Sequence, residues 1–161
     1  MTSRATLIMA LALCAGCADE AAIEATTVLE YNRCQGVNPG LTRVDYAAVA
    51  GIRGGTLLGM TDREGNEAAP DDDVLLVAIS RGRQPTPGYG FTLERAYRDG
   101  ATAVVRVRWE TPEPGAVLPQ TLTHPCLVVA LPHDAFQRVE AVDQRGEGIG
   151  SLELQPASPS R

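Results

Sequence analysis

The sequence predicts an all-β fold, either an antiparallel β-sandwich or a partly open barrel, with one short helix near the N-terminus. Apolar segments of strand length recur, with turn residues between them about every ten positions. Aromatic residues make up only 4% of the chain, so the core must be built mainly from aliphatic side chains. The 161 residues suit a single β domain, which we place at residues 26–155.

The first part of this domain predicts one strand, one helix and one loop. Thr26–Tyr31 (TTVLEY) is rich in β-branched and aromatic residues, which favours a strand. Residues 44–52 have apolar side chains at near-helical spacing and are followed by glycines, which favours a short helix. Residues 62–73 are polar and contain glycine and proline, so we expect a loop there.

The rest of the domain predicts a series of strands. Residues 74–79 (VLLVAI) form a continuous apolar run, typical of a strand buried on both faces. Polar and apolar residues alternate from Tyr89 and again over Thr102–Glu110, and the Asp-Gly pair at residues 99–100 predicts a hairpin. Further strands are predicted at residues 126–131, 137–142 and 149–154, and residues 156–161 are polar and proline-rich, which predicts a disordered tail.

The N-terminus resembles a bacterial lipoprotein signal. Residues 1–16 carry one positive charge and a short apolar run, and they end in two small residues before Cys17. This pattern predicts a signal peptide at residues 1–16 and lipidation of Cys17. The alternative is an ordinary secreted protein cut near Ala18. The apolar run is far shorter than the roughly 20 residues of a transmembrane helix.

Lipidation places the protein in the cell envelope. Ala18, and not aspartate, follows the cysteine, which by resemblance to Gram-negative lipoproteins favours the outer membrane, facing the periplasm. Acyl chains such as palmitate on Cys17 would make the only membrane contact. Residues 17–25 would be a lipid-anchored linker that reaches about 30 Å at most.

Two cysteines remain once Cys14 is removed with the signal and Cys17 is acylated. In an oxidising compartment Cys34 and Cys126 either form a disulfide or stay as two buried thiols. We expect no metal site, because His124 and His133 have no paired ligand spacing around them. Both histidines are expected at the surface or in loops with their hydrogen bonds satisfied.

The charge distribution argues against nucleic acid as a partner. The chain has a net charge of −6, and 13 arginines against 20 acids remain after residue 16, which gives −7. The arginines are scattered, whereas phosphate binding needs clustered cations. The same distribution offers no polybasic membrane anchor.

The sequence contains no motif of an enzyme active site or a cofactor site. A nucleophile elbow, a zinc helix with paired histidines and a phosphate-binding loop are all missing. Ser80, His124 and Asp134 are the residue types of a catalytic triad, but no motif places them together. We therefore expect a noncatalytic protein without a cofactor.

The segment RQPTPGYGF at residues 83–91 predicts a stiff loop. Its two prolines fix φ and bias the residues before them towards extended conformations, and Gly88 permits a positive φ. A loop that is shaped in advance loses little entropy on docking. It therefore either binds a partner or is a rigid connection in which Tyr89 packs inward.

The segments VLLVAISRGRQPTPGYGFTLERAY and ATAVVRVRWETPEPGAVLPQTLTHPCLVVALP, within residues 74–132, resemble the PrcB C-terminal domain family. The features in common are the apolar strand that leads to Gly82, the PTPGY block, the PEPG segment and the THP turn. The chain differs at Pro87, where a glycine is common, and at Cys126, where an aromatic residue is usual. The resemblance implies a noncatalytic accessory lipoprotein that binds and stabilises a partner protein, with a protease complex as the expected partner.

The resemblance and the loop chemistry together define two candidate contact segments. The partner-binding loop consists of Gln84, Pro85, Thr86, Pro87, Gly88 and Tyr89, and the second loop consists of Thr123, His124 and Pro125. The same segments are similar to the inhibitory loops of chagasin-like cysteine peptidase inhibitors, which also have an immunoglobulin-like sandwich. Inhibition of a cysteine peptidase is therefore the alternative function.

Overall fold

A computed structural model of the protein describes residues 20–52, 74–132 and 136–154. The predicted signal peptide, Cys17, the predicted loop at residues 62–73 and the tail lie outside these ranges. In chain order the elements are β1 (Ala21–Ile23), β2 (Thr26–Tyr31), β3 (Gly40–Val44), α1 (Tyr46–Ile52), β4 (Val74–Ser80), β5 (Gly90–Asp99), β6 (Thr102–Glu110), β7 (Cys126–Pro132), β8 (Arg138–Val142) and β9 (Gly148–Glu153). Within the described ranges, no helix is both long and apolar enough to cross a membrane.

The strands form two sheets that pack as a sandwich. One sheet has the strand order β1-β5-β6-β8-β9 and the other has the order β2-β7-β4-β3, and neither closes into a barrel. Neighbouring strands are antiparallel except for β6 and β8, which are parallel. Because β7 carries the chain back through the other sheet, β8 starts at the end where β6 started. The predicted all-β sandwich with one short helix is confirmed.

The main core lies between the two sheets. Alternate residues of each central strand point into it, as the period of two requires. Phe91 adds an aromatic ring to a core that is otherwise almost entirely aliphatic. The fully buried aliphatic side chains include Leu75, Val77, Ile79, Val105, Val107, Leu127, Val129 and Leu131.

A second core covers the outer face of the four-stranded sheet. Leu76 and Ala78 of β4 point to this face and pack with Val128 of β7. Helix α1 contributes Val49 and Ile52 to the same cluster. Strand β4 is therefore buried on both faces, which confirms the interpretation of its continuous apolar run.

The linker prediction is wrong for Ala21–Ile23. These residues form β1, which pairs antiparallel with β5 from Ala21 opposite Arg98 to Ile23 opposite Ala96. Three residues are too few to show a period, and the strand exists because β5 offers a free edge. The folded part thus begins before residue 26.

The predicted helix starts later than expected, and the strand before it was missed. Residues 40–44 form β3, which pairs with β4 along its whole length. Asp45 then caps the helix, since its Oδ1 accepts the backbone N–H of Ala48 at 2.6 Å. The apolar residue at position 44 belongs to the strand and so extends the apparent helical pattern by chance.

Candidate functional site

Four connections lie at one end of the sandwich, which we call the loop end. The strand registers pair Tyr31 and Ser80 with Cys126, and Gly90 with Glu110. The last residues of β2 and β4 therefore lie beside the first residue of β7, and the hairpin of β5 and β6 opens at the same end. The connections at this end comprise residues 32–39, 81–89, 111–125 and 143–147.

The two predicted contact segments lie side by side at the loop end. Gln84 and Thr123 exchange backbone hydrogen bonds, with N···O distances of 2.8 Å and 2.9 Å. The Thr123 hydroxyl also donates to the Thr86 carbonyl at 2.9 Å. We call residues 84–89 and 123–125 the paired loops. Sequence reasoning selected both segments, but only the structure shows that each holds the other.

The partner-binding loop lies at the surface and not in the core. Pro85 and Gly88 are exposed, and the other four residues are half-buried. Gly88 has φ +94°, the positive value that the sequence allowed there. A Cβ atom at this position would lie 3.2 Å from Pro112 Cγ, so any larger residue meets both backbone strain and a neighbour.

Tyr89 is held by aromatic packing. Its ring stacks on the Trp109 ring with centroids 5.6 Å apart, and the centroid of the Phe91 ring lies 4.5 Å from that of the Trp109 ring. The guanidinium of Arg81 lies 5.4 Å from the Trp109 centroid. This aromatic cluster supports the C-terminal side of the loop, while the hydrogen bonds with Thr123 hold Gln84 and Thr86 on its N-terminal side.

Ser80 ties the base of the paired loops together. Its hydroxyl is fully buried, accepts the Gly82 N–H at 2.9 Å and donates to the Pro125 carbonyl at 3.0 Å. His124 Nε2 lies 3.1 Å from the same oxygen. Because serine has one hydroxyl proton, which Pro125 receives, this contact is satisfied when His124 Nε2 carries a proton.

No sequence motif placed Ser80 and His124 together, but the fold brings them into contact. Asp134, the third residue type of a triad, lies outside the described residues. The serine is inaccessible to a substrate, and its proton is committed to a carbonyl. A nucleophile needs instead an exposed oxygen facing an unprotonated nitrogen. The arrangement is therefore suited to holding two loops in place.

The surroundings of His124 favour the neutral form of its imidazole. Burial lowers the pKa of its imidazole below the ordinary value, and the nearby charge of Arg83 lowers it further. The ring is half-buried and hydrogen-bonded. This matches the prediction of a loop histidine whose hydrogen bonds are satisfied; His133 lies outside the described residues.

Cys34 and Cys126 form a disulfide, with their Cα atoms 6.0 Å apart. The bond joins residues 32–39 to the start of β7. Backbone hydrogen bonds reinforce this junction, from Cys34 N to the His124 carbonyl at 2.9 Å and from His124 N to the Asn32 carbonyl at 2.8 Å. The segment at residues 32–39 thus becomes a third part of the site.

An open groove with a volume of about 830 Å³ lies between residues 32–39 on one side and residues 82–83 and 122–124 on the other. Arg33, Arg83, Leu122 and His124 are among the residues that line it. Sequence reasoning missed Arg33 and Leu122. The one signal for Arg33 was its position before Cys34, since a disulfide to Cys126 brings it next to the THP turn.

Arg81 and Asp143 connect the paired loops to the five-stranded sheet. The Arg81 guanidinium lies 2.9 Å from the Asp143 carboxylate, which is 1% exposed. The Asp143 carboxylate also accepts the N–H groups of Arg145 and Glu147. Among the residues that the structure describes, no cluster of three or more His, Cys, Asp or Glu side chains is arranged to bind a metal ion.

The sequence family described as PrcB C-terminal matches residues 75–132. This confirms the resemblance seen in residues 74–132, and the match runs from β4 to β7 and includes both paired loops. No curated protein and no solved structure matches the chain significantly. The similarity to chagasin-like inhibitors stays a prediction.

Proposed function

We propose that this chain, whose residues 75–132 match the PrcB C-terminal family, is a noncatalytic envelope lipoprotein that binds and stabilises a partner protein. The family suggests a role like that of a protease complex subunit, so a protease is the partner class that we favour. The observation that carries the proposal is a surface loop, residues 84–89, that is held rigidly by the largely buried second loop at one end of an all-β scaffold.

The rigidity of the paired loops supports a binding role. Two backbone hydrogen bonds, the Thr123 hydroxyl and the buried Ser80 hydroxyl all restrain them. Binding usually costs about 0.5–1.5 kcal/mol for each flexible side chain that becomes ordered. A loop whose backbone is already ordered avoids the further cost of ordering the loop itself, so more of the contact energy is left for binding.

The chemistry of the site supports a noncatalytic role. The serine that lies near a histidine is fully buried, and its hydroxyl accepts one backbone hydrogen bond and donates another. A reacting group would have to reach this oxygen through the paired loops. We therefore assign Ser80 and His124 to the positioning of the loops.

The topology supports a defined orientation on the membrane. Ala21 of β1 lies opposite Arg98, near the turn at residues 100–101 and therefore at the end of the sandwich away from the loop end. If Cys17 carries lipid, three residues separate it from β1, and they reach only about 10 Å. The paired loops then face away from the outer membrane into the periplasm. Their distance from the end of the sandwich that lies near the membrane is about the length of β5, roughly 30 Å.

Photocrosslinking in the native envelope tests the binding role. A photoreactive amino acid at Pro85 is expected to capture a specific protein, and mass spectrometry then identifies it. The same amino acid at Asp99, which is exposed at the opposite end, is the matched control. Capture of the same proteins from both positions, or of none from Pro85, would contradict the proposal.

An inhibition assay separates the proposed function from the alternative. A chagasin-like inhibitor would block papain at nanomolar to micromolar concentration, whereas a stabilising subunit leaves papain active. The captured partner should instead show a longer half-life in cells that contain the protein than in cells that lack it. Papain inhibition that depends on residues 84–89 would replace the proposed function with inhibition.

A further inference from the structure

The groove beside the paired loops has a distinct chemical character. Its floor includes Val37, which is buried, and the disulfide-linked Cys34. Gly82 closes one side, where its φ is +80° and a Cβ atom would lie only 2.9 Å from Pro39 Cγ. The two walls thus touch at Gly82, and the groove opens from there towards solvent.

Two arginines on the groove have no carboxylate partner in the described ranges. Arg33 and Arg83 are exposed, and neither is within 4.0 Å of a described carboxylate. Six other arginines do have such a partner, namely Arg81, Arg95, Arg106, Arg108, Arg138 and Arg145. The two groove arginines are therefore available to an external acid.

The lining of the groove leaves this positive charge uncompensated. Its described residues include two arginines and one histidine but no aspartate or glutamate. The chain as a whole has a net charge of −6, so the groove is a local exception on an acidic protein. An exposed carboxylate would be attracted to this position and repelled from most of the remaining surface.

An apolar residue lies at the same groove. Leu122 is 67% exposed, whereas every other leucine in the described ranges is buried or half-buried. It directly precedes Thr123, whose backbone is fixed by Gln84. The leucine side chain is thus presented at a defined position beside the charged groups.

We propose that this groove binds an extended segment of the partner protein that carries a carboxylate side chain next to an apolar side chain. The carboxylate pairs with Arg33 and Arg83, and the apolar side chain covers Leu122. This inference rests on the proposed function, since it names the part of the partner that the loop end recognises. Arginine suits the role because its planar guanidinium can bind a carboxylate through two parallel hydrogen bonds.

The matched segment supplies only one wall of this groove. Arg83, Leu122 and His124 lie within residues 75–132, whereas Arg33 and the rest of residues 32–39 lie outside them. The disulfide brings the two parts together. The segment outside the match therefore completes the pairing of the partner carboxylate.

The first experiment uses the partner captured by the photocrosslinker at Pro85. The double variant Arg33→Gln with Arg83→Gln should weaken binding of that partner about tenfold, and 0.5 M salt should weaken wild-type binding in the same direction. Arg145→Gln removes one positive charge at the same end of the molecule, from a side chain that already pairs with Glu147, and it is compared also with each of the single variants Arg33→Gln and Arg83→Gln. This control should leave binding unchanged.

The outcomes separate the two proposals. If the wild type captures no partner, the proposed function fails. If the wild type captures a partner and the double variant binds it as tightly as the Arg145→Gln control does, the groove inference fails and the proposed function stands.

A second experiment uses a defined probe and needs no partner. The probe is the blocked peptide acetyl-Ala-Asp-Leu-Ala-amide, and its control carries asparagine in place of aspartate. In ¹⁵N-resolved NMR the aspartate peptide should shift the amide signals of residues 33, 83 and 122, with at least a fivefold weaker effect for the asparagine peptide. Equal shifts from both peptides, or shifts confined to other residues, would overturn the inference.

Discussion

Asp143 shows how one buried charge can organise a loop. Its carboxylate accepts two backbone N–H groups within residues 143–147 and pairs with Arg81 at the base of the paired loops. Burial by itself would raise the pKa of this carboxyl, but the hydrogen bonds from Glu147 and Arg145 and the charge of Arg81 outweigh it. The net pKa is therefore below its usual value.

We expect Asp143→Asn to lower the free energy of unfolding by about 2 kcal/mol at pH 7, because hydrogen bonds to a charged group are lost. The wild-type carboxylate has a lower pKa folded than unfolded, so its contribution is complete above the unfolded value of about 4 and disappears as the pH falls below it. Urea denaturation at pH 7 and pH 3 should therefore show a smaller difference between the two proteins at pH 3.

The matched control for this prediction is Asp99→Asn. Asp99 is exposed at the end of β5 and lies opposite Thr102, so the turn consists of Gly100 and Ala101 and the substitution leaves the turn residues unchanged. We expect a change of less than about 0.5 kcal/mol for this variant. A loss for Asp143→Asn that matches the control, or that stays constant with pH, would show that the carboxylate does not hold the loop.

Strands β3 and β9 show how the two sheets meet at one edge. They belong to different sheets, yet a Cβ atom on Gly150 of β9 would lie 2.6 Å from the Leu41 nitrogen and 2.8 Å from Gly40 Cα. These neighbours are backbone atoms, which cannot move aside as a flexible side chain can. The edge therefore closes only because residue 150 has no side chain.

We expect Gly150→Ala to destabilise the domain by about 2 kcal/mol or more, since backbone must shift to admit the methyl group. Gly148→Ala in the same strand is the matched control, because a Cβ atom there has no neighbour within 4 Å. Thermal and urea denaturation of the two variants measure the difference. Equal stabilities would mean that β3 and β9 do not approach as closely as the structure indicates.

The disulfide acts on the element that forms the groove wall. It joins cysteines 92 positions apart and fastens residues 32–39 to β7. The double variant Cys34→Ala with Cys126→Ala should lose about 2–5 kcal/mol of stability, because the unfolded chain is no longer restrained. Chemical denaturation measures this loss, and reduction of the wild type should reproduce most of it. A loss below about 1 kcal/mol in both cases would contradict the prediction.

At the scale of the whole molecule, the first residue of β1 and the loop end lie at opposite ends of the sandwich. Residue 21 lies beside the turn at residues 100–101, and the paired loops lie at the other end of β5. A short tether would keep the near end at the membrane and present the loop end to the periplasm.

Lipidation is the premise of this orientation, and Cys17→Ser tests it. The wild type should incorporate an alkyne-labelled palmitate and partition into the detergent phase, whereas the Cys17→Ser protein should remain unlabelled. Cys14→Leu is the control, since it restores the leucine that is usual three positions before the modified cysteine. Labelling of the Cys17→Ser protein would place the modification elsewhere.

Local patterns along the chain were sufficient to predict most strands, because alternation and β-branching are properties of neighbouring residues. The continuous run at residues 74–79 also indicated a strand covered on both faces, and helix α1 supplies the second cover. The stiffness of the PTPG segment and the positive φ at Gly88 followed from proline and glycine chemistry. Strand β1 was missed because its conformation depends on the edge that β5 provides.

Contacts between distant parts of the chain could not be predicted from local patterns. Residues that are far apart in the sequence become neighbours only when the strands pair and the two sheets pack. The pairing of Gln84 with Thr123 and the contact of Ser80 with His124 join residues about 40 positions apart. The disulfide spans 92 positions, and with it Arg33 joins Arg83 on one groove. The chemistry of each loop thus follows from its own residues, whereas the groove that the loops share forms only when the two sheets have packed.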